Sequence, residues 1–249
     1  MRGDLNTRIE ISMRLVQKNV VVVGVGPGLG SAVAYMALRE AASVYAFARR
    51  PEALAGLQWL AQHGKVYLSA RDFAKLDQAL AAAEEARKVF PAVHGLVVTA
   101  GGYTSQPVEE VGEAELEDML SKNLKAHIYA VRAFAPLLAP GSSVVLVSSV
   151  GGAYKAWPRH VAYVASKAAV AKAAEALAAE LLERGVRVNA VAPGGMTKDF
   201  QPGRRYEVKL GAPQVPPEEV AKVVIWLLTD EARWVTGAVI PVDGGRRLL

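Results

Sequence analysis

Cysteine is absent from all 249 residues of this chain. A disulfide framework, a cysteine-ligated zinc site and a thiol nucleophile are therefore excluded. Histidine is scarce, and His63, His94, His127 and His160 never recur at the H-x-x-x-H spacing of a metal site, so no metal is expected. Long apolar runs are missing as well. Runs such as residues 20–23 and 144–147 are strand-sized, and none approaches the roughly 18 residues that a membrane-spanning helix needs. Residues 1–19 hold no apolar stretch of the secretory kind. These absences predict a soluble cytoplasmic protein with no membrane partner. Charge of one sign is not concentrated either. The 29 basic and 24 acidic side chains leave +5, and the basic ones are scattered, with short pairs such as Arg49-Arg50, Arg204-Arg205 and Arg246-Arg247. A nucleic-acid partner calls for a basic stripe interleaved with aromatics, so none is expected.

What is present is apolar material: 52% hydrophobic residues against 21% charged, enough for one large buried core. Val-rich runs at 20–23, 44–48, 66–69, 96–99, 144–148, 186–191 and 239–242 read as strands covered on both faces. Between them, Ala- and Leu-rich stretches at 29–40, 52–63, 73–90, 113–138, 163–184 and 217–229 read as helices. Pro51 and Pro217 suit first-turn positions, and Gly185 suits the residue just past a helix end. Strand and helix alternating in this way predict an α/β fold, a doubly wound parallel Rossmann sheet of about seven strands with helices on both faces. No linker or repeat divides the chain, so a single domain is expected over residues 13–249. Residues 1–12 precede it as an N-terminal extension. The polar, Gly- and Pro-rich stretch 199–216 reads as a lid loop after the sixth strand.

The first strand runs into Gly24-Val25-Gly26-Pro27-Gly28-Leu29-Gly30 and then a helix. Glycines there let the backbone turn tightly and approach a pyrophosphate, whose charge sits at the helix N-terminus. Farther on, Tyr163 and Lys167 lie four apart and share one face of a helix. An ammonium beside a phenol favours the phenolate, which makes the pair a usable proton donor and acceptor. Ser149 stands at the end of the fifth strand, where open α/β sheets place their ligands.

The G-x-x-x-G-x-G spacing of Gly24, Gly28 and Gly30, with Tyr163-Val164-Ala165-Ser166-Lys167, resembles the short-chain dehydrogenase/reductase family. The resemblance extends over nearly the whole chain, through Val98-Thr99-Ala100-Gly101, Val188-Asn189-Ala190-Val191-Ala192-Pro193-Gly194 and the ending Val242-Asp243-Gly244-Gly245. It implies hydride transfer between a nicotinamide cofactor and a carbonyl or secondary alcohol. Tyr163 would be the proton donor, with Ser149 steadying the substrate oxygen and Ser148 as the less favoured alternative. Lys167 would lower the tyrosine pKa and hold the ribose, and Asn123 would carry a proton relay. The interval from Ser149 to Tyr163 is one residue longer than in relatives.

The resemblance implies cofactor contacts from Gly24, Gly26, Gly28, Leu29, Gly30, Ala100, Gly101, Pro193, Gly194, Met196 and Thr197, besides Tyr163 and Lys167. Thr197 stands one residue nearer Pro193 than the corresponding threonine of relatives. The second strand ends Ala48-Arg49-Arg50 without a carboxylate, so Arg49 and Arg50 point to NADP, with NAD as the alternative. Asp72 would hold the adenine or cap the helix starting at Phe73. Tyr103, Val150, Tyr154, Trp157, His160 and Met196 are the expected pocket walls. A 3-oxoacyl-carrier-protein reductase and a sugar or polyol dehydrogenase both stay open, Arg204 and Arg205 serving an acidic carrier or lying solvated. A non-catalytic NADP-binding, redox-sensing subunit is the rival from another class. The alanine-rich helices and Leu248-Leu249 predict a homotetramer, with a dimer as fallback.

Overall fold

Strands that are apolar on both faces need cover on both, and the computed structural model, which describes residues 13–249, provides it. The expected extension at 1–12 lies outside the described residues. The chain runs β1 (Asn19–Val23), α1 (Leu29–Arg39), β2 (Ser43–Ala48), a 3-10 helix (Pro51–His63), β3 (Val66–Ala70), α2 (Leu76–Arg87) and β4 (Val93–Val98). It continues through α3 (Glu113–Met119), a π turn (Leu120–Lys125), α4 (Ala126–Phe134), β5 (Leu138–Val147) and the short turn α5 (Val150–Ala153). Then come α6 (Val161–Leu181), β6 (Arg187–Pro193), α7 (Pro217–Leu228) and β7 (Val239–Val242).

The seven strands form one sheet in the order β3-β2-β1-β4-β5-β6-β7, every neighbouring pair parallel. The order reverses between β1 and β4, which opens a crevice at their carboxyl ends. Alternation along β1 feeds two cores. Val21 and Val23 pack with α2, α4 and α6, while Val20 and Val22 pack with α1, the 3-10 helix and α7. Pro51 and Pro217 start their helices, and Gly185 takes the left-handed conformation (φ +67°) after the last turn following α6.

Three expected helices differ in kind or extent. The stretch expected as a helix at 52–63 is a 3-10 helix, in which residues three apart share a face; Leu57 and Leu60 are its buried pair. The helix expected from Phe73 begins only at Leu76, because residues 72–75 form a turn with Phe73 buried. The long helix expected at 113–138 is interrupted by the π turn and ends at Pro136, where the ring and missing N–H stop it. The segment 199–216 is loop and turn throughout, as its composition demands.

Candidate active site

Space dictates the glycine loop. Gly24 has φ +89°, and a Cβ there would stand 2.4 Å from the Ala100 amide nitrogen. A Cβ on Gly30 would meet Val25 Cα at 2.7 Å, and one on Gly28 the Lys198 carbonyl oxygen at 2.9 Å. Gly26 faces open space instead, and it lines a cavity of about 400 Å³ with Gly24, Ala100 and Gly101. Leu29 buries its side chain in the core, so only its main chain can meet a ligand. Gly28 caps α1 without a side-chain bond to the first-turn amides, which leaves those donors for an anion. Thr99 braces the loop by sharing its hydroxyl hydrogen between the Val23 and Gly24 carbonyls, 3.0 Å from each.

The far end of this cavity is basic. Ala48 pairs with Ala70, so Arg49 and Arg71 leave adjacent strand ends side by side. Arg49, Arg50, Arg71 and Asp72 all line the cavity. Arg71 went unnoticed in the sequence, and the signal that finds it is the pairing of β2 with β3. It holds Glu85 at 2.9 Å and donates to the Ala70 carbonyl at 3.0 Å, so part of its charge is already matched. Arg49 and Arg50 are exposed. Asp72 does not cap a helix at Phe73. Its Oδ1 accepts from the Ala74 amide at 3.1 Å, in the turn that precedes α2.

Ser149 and Tyr163 meet at the carboxyl end of β5. The Ser149 hydroxyl accepts from the Gly151 amide at 3.1 Å and lies close enough to the Tyr163 phenol to favour its ionised form. Ser148 is held by the backbone of α6 instead, donating to the Lys167 carbonyl at 2.7 Å. Lys167 is almost fully buried, and its Nζ donates to the Val147 carbonyl at 2.9 Å. Burial lowers its pKa to about 8. Burial also raises the Tyr163 pKa, with Ser149 opposing the rise and Tyr103 adding to it. Lys167 is not among the groups that act on the phenol in this arrangement. The charge is turned to a backbone carbonyl, and Tyr163 keeps its proton at neutral pH.

Asn123 lies wholly buried in the π turn. Its Oδ1 accepts from the Gly102 amide at 2.7 Å, and its Nδ2 donates to Ser166 Oγ at 2.8 Å. Ser166 in turn donates to the Tyr163 carbonyl at 2.7 Å. Asn123 thus ties the loop after β4 to α6. A Cβ on Gly101 would touch both Asn123 Oδ1 (2.9 Å) and Lys167 Nζ (3.2 Å), so the two flank that glycine without bonding each other. One turn beyond Asn123 sits His127, which sequence reasoning missed. It is fully buried. The carbonyls of Asn123, Val98 and Val147 lie around its ring, yet neither nitrogen makes a well-aligned hydrogen bond. Burial, then the Lys167 charge, lowers its pKa to about 3.

The segment after β6 contributes a different wall. Gly194 packs on Asp243, and its amide donates to the Val242 carbonyl at 3.1 Å. Met196 pairs with Val215 and packs on the core. Thr197 Oγ1 is buried without a partner, the kind of orphan that a bound carboxamide or phosphate satisfies. Pro193, Gly194, Met196 and Thr197 do not line the 400 Å³ cavity, which covers only the basic half of the crevice. The Phe200 amide donates to the Pro27 carbonyl at 2.8 Å, and the Phe200 ring packs 5.4 Å from Tyr35 and 6.1 Å from Trp59.

Neither reading of Arg204 holds. It is ion-paired with the buried Glu218 at 2.8 Å and with Asp199 at 3.3 Å. Tyr154 also departs from its expected place, since its hydroxyl donates to the Val239 carbonyl and Arg247 covers its ring. Among the described residues no group of three or more histidines and carboxylates could hold a metal, and no helix is long and apolar enough to cross a membrane.

Comparison with known proteins shows the family and the fold. Residues 24–247 match the family model described as Enoyl-(Acyl carrier protein) reductase. The chain is 33% identical over 247 residues to the 3-oxoacyl-[acyl-carrier-protein] reductase FabG of Thermotoga maritima, covering 94% of this chain and 99% of the relative. A dehydrogenase/reductase from Sinorhizobium meliloti superposes with a TM-score of 0.86 at 28% identity, covering 95% of this chain and 97% of the other. Carveol dehydrogenase from Mycobacterium avium, solved in complex with NAD, also reaches 0.86, at 26% identity and 95% and 99% coverage.

Proposed function

We propose that this chain, which belongs to the short-chain dehydrogenase/reductase family, reduces a carbonyl compound with NADPH, with oxidation of the corresponding secondary alcohol as the reverse reaction. The observation that carries the reading is the gathering of Ser149, from the turn after β5, with Tyr163 and the buried Lys167 of α6, whose ammonium is held by the last carbonyl of β5. The nicotinamide cofactor supplies or accepts the hydride. Tyr163 gives its proton to the oxygen as negative charge develops there, and Ser149 donates a second hydrogen bond to the same oxygen. Lys167, lowered to about 8, sits at the point where a small change of surroundings alters its charge. Its remaining N–H groups would hold the ribose of a bound cofactor, while Asn123 keeps the loop after β4 and α6 in register.

The α1 N-terminus, Gly26 and the orphaned Thr197 hydroxyl fit the phosphates and carboxamide of a dinucleotide. Ala48 leaves room for a 2′-phosphate, and Arg49 and Arg50, with Arg71 behind them, would hold it. This favours NADP over NAD. A pure cofactor-binding subunit would have no use for a phenol poised beside a serine. The working enzyme, in this reading, is a cytoplasmic homotetramer.

Tyr163→Phe tests the assignment. It should lower kcat by about a thousandfold or more, since a positioned proton donor is lost, and leave NADPH affinity close to wild type. Wild-type turnover by this variant on an established substrate would overturn the mechanism.

A further inference from the structure

His160 and Tyr103 close one side of the site, and with the imidazole in its neutral form their hydrogen bonds run in one direction. His160 Nδ1 lies 2.6 Å from the Pro158 carbonyl oxygen. A carbonyl can only accept, so Nδ1 carries the hydrogen, and Nε2 of the neutral ring is left as an acceptor. The 2.6 Å contact between Nε2 and the Tyr103 hydroxyl is therefore donated by Tyr103. A phenol has one hydrogen. Once it is given to His160, the Tyr103 oxygen offers only lone pairs to anything else. This oxygen belongs to a ring that meets the Tyr163 ring edge-on, centroids 5.1 Å apart, on an exposed loop at the mouth of the site. Trp157, packed against Gly151 and 6.3 Å from the His160 ring, adds an apolar flank.

The two tyrosines thus have opposite polarity. Tyr163 is a donor for the reacting oxygen, and Tyr103 is an acceptor for whatever stands beside it. We infer that the Tyr103–His160 pair selects a carbonyl substrate with a hydroxyl on the neighbouring carbon: an α-hydroxy ketone, or a vicinal diol in the oxidative direction. This rests on the carbonyl-reduction reading above and narrows it. In such a molecule the carbonyl accepts from Tyr163 while the hydroxyl donates to Tyr103. A 3-oxoacyl thioester offers two acceptors and no donor, so its second carbonyl faces a lone pair and stays unmatched. The open choice between a thioester and a polyol-like substrate falls to the latter.

The test compares reduction of 2-hydroxycyclohexanone, cyclohexanone and an acetoacetyl thioester by NADPH, for the wild type and Tyr103→Phe. The wild type should favour the hydroxy ketone over both others by about tenfold or more in kcat/KM, the factor that one matched hydrogen bond supplies. In Tyr103→Phe the preference should fall to within about twofold, chiefly through KM, with NADPH affinity retained as evidence of folding. Equal kcat/KM values in the wild type, or a preference that survives in Tyr103→Phe, would overturn the inference.

If no ketone is turned over, the carbonyl-reduction reading fails. The pair is then judged by calorimetry of cis-1,2-cyclohexanediol and cyclohexanol on NADP-loaded protein. Tighter binding of the diol that is lost in Tyr103→Phe supports the selection, and equal binding refutes it.

Discussion

Behind Tyr163 a buried ammonium, a buried imidazole and a buried amide share one small volume, and each meets the cost of burial differently. Asn123 satisfies both ends of its amide with Gly102 and Ser166. Lys167 keeps one carbonyl partner, and burial weakens its hold on the proton. His127 gives up its charge altogether. With its folded pKa at about 3, below the ordinary imidazole value, His127 contributes stability that is complete above the unfolded pKa of about 6.5. That contribution is lost as pH falls through the window between the two, at up to about 1.4 kcal/mol per pH unit. Denaturant titrations at several pH values should show His127→Phe losing less stability than the wild type between neutral and acid pH. Parallel losses would sink the assignment.

Lys167 has the same direction of shift in an alkaline window. Its charged form is the disfavoured one, so stability rises as pH passes about 8 toward the unfolded lysine value. Neither effect was legible in the sequence. A histidine four residues after an asparagine points to no particular neighbour until the π turn sets which face looks inward.

Strand ends bring together what the chain separates. Arg49 and Arg71 become neighbours only because Ala48 pairs with Ala70, and a reading that runs along the chain has no access to that register. The Val-rich strands, the glycine loop and the Tyr163–Lys167 turn were legible because each is a local pattern with its own period. The π turn and the 3-10 helix were not, since they differ from an α-helix only in which carbonyl each amide meets. The basic strand ends carry their own prediction. Arg49→Ala should weaken NADPH by about tenfold to a hundredfold, the range for a charge-assisted hydrogen bond, and NADH far less. Ala48→Asp should invert the preference, because a carboxylate repels a 2′-phosphate and accepts from a ribose hydroxyl. Calorimetry with both cofactors decides it. Equal affinities in the wild type would rule out the NADP choice.

At the scale of the whole molecule, one exposed apolar edge is built from the chain end. Leu210, Leu248 and Leu249 are each more than three-quarters exposed, and Leu249 reaches Gly211, so the chain end and the loop after β6 form one greasy edge. Ala165, Ala176 and Ala179 on α6 leave a second, shallow face where another helix can approach closely. Two such faces suit a closed tetramer. Light scattering should report four chains of 26.5 kDa, and Leu248→Asp should reduce the assembly to a dimer. A stable monomer at micromolar concentration would contradict this.

The bond from Phe200 to Pro27 has a further consequence at this scale. It joins the loop after β6 to the loop after β1, although β4 and β5 lie between those strands in the sheet. The crevice is therefore an arch with two feet, one planted in the glycine loop and the other in the segment that carries Thr197. A ligand long enough to run from Arg49 to Tyr163 has to thread the arch or wait for a foot to lift. We expect exchange of such a ligand to quicken when this one backbone hydrogen bond or the seat of the Phe200 ring is weakened.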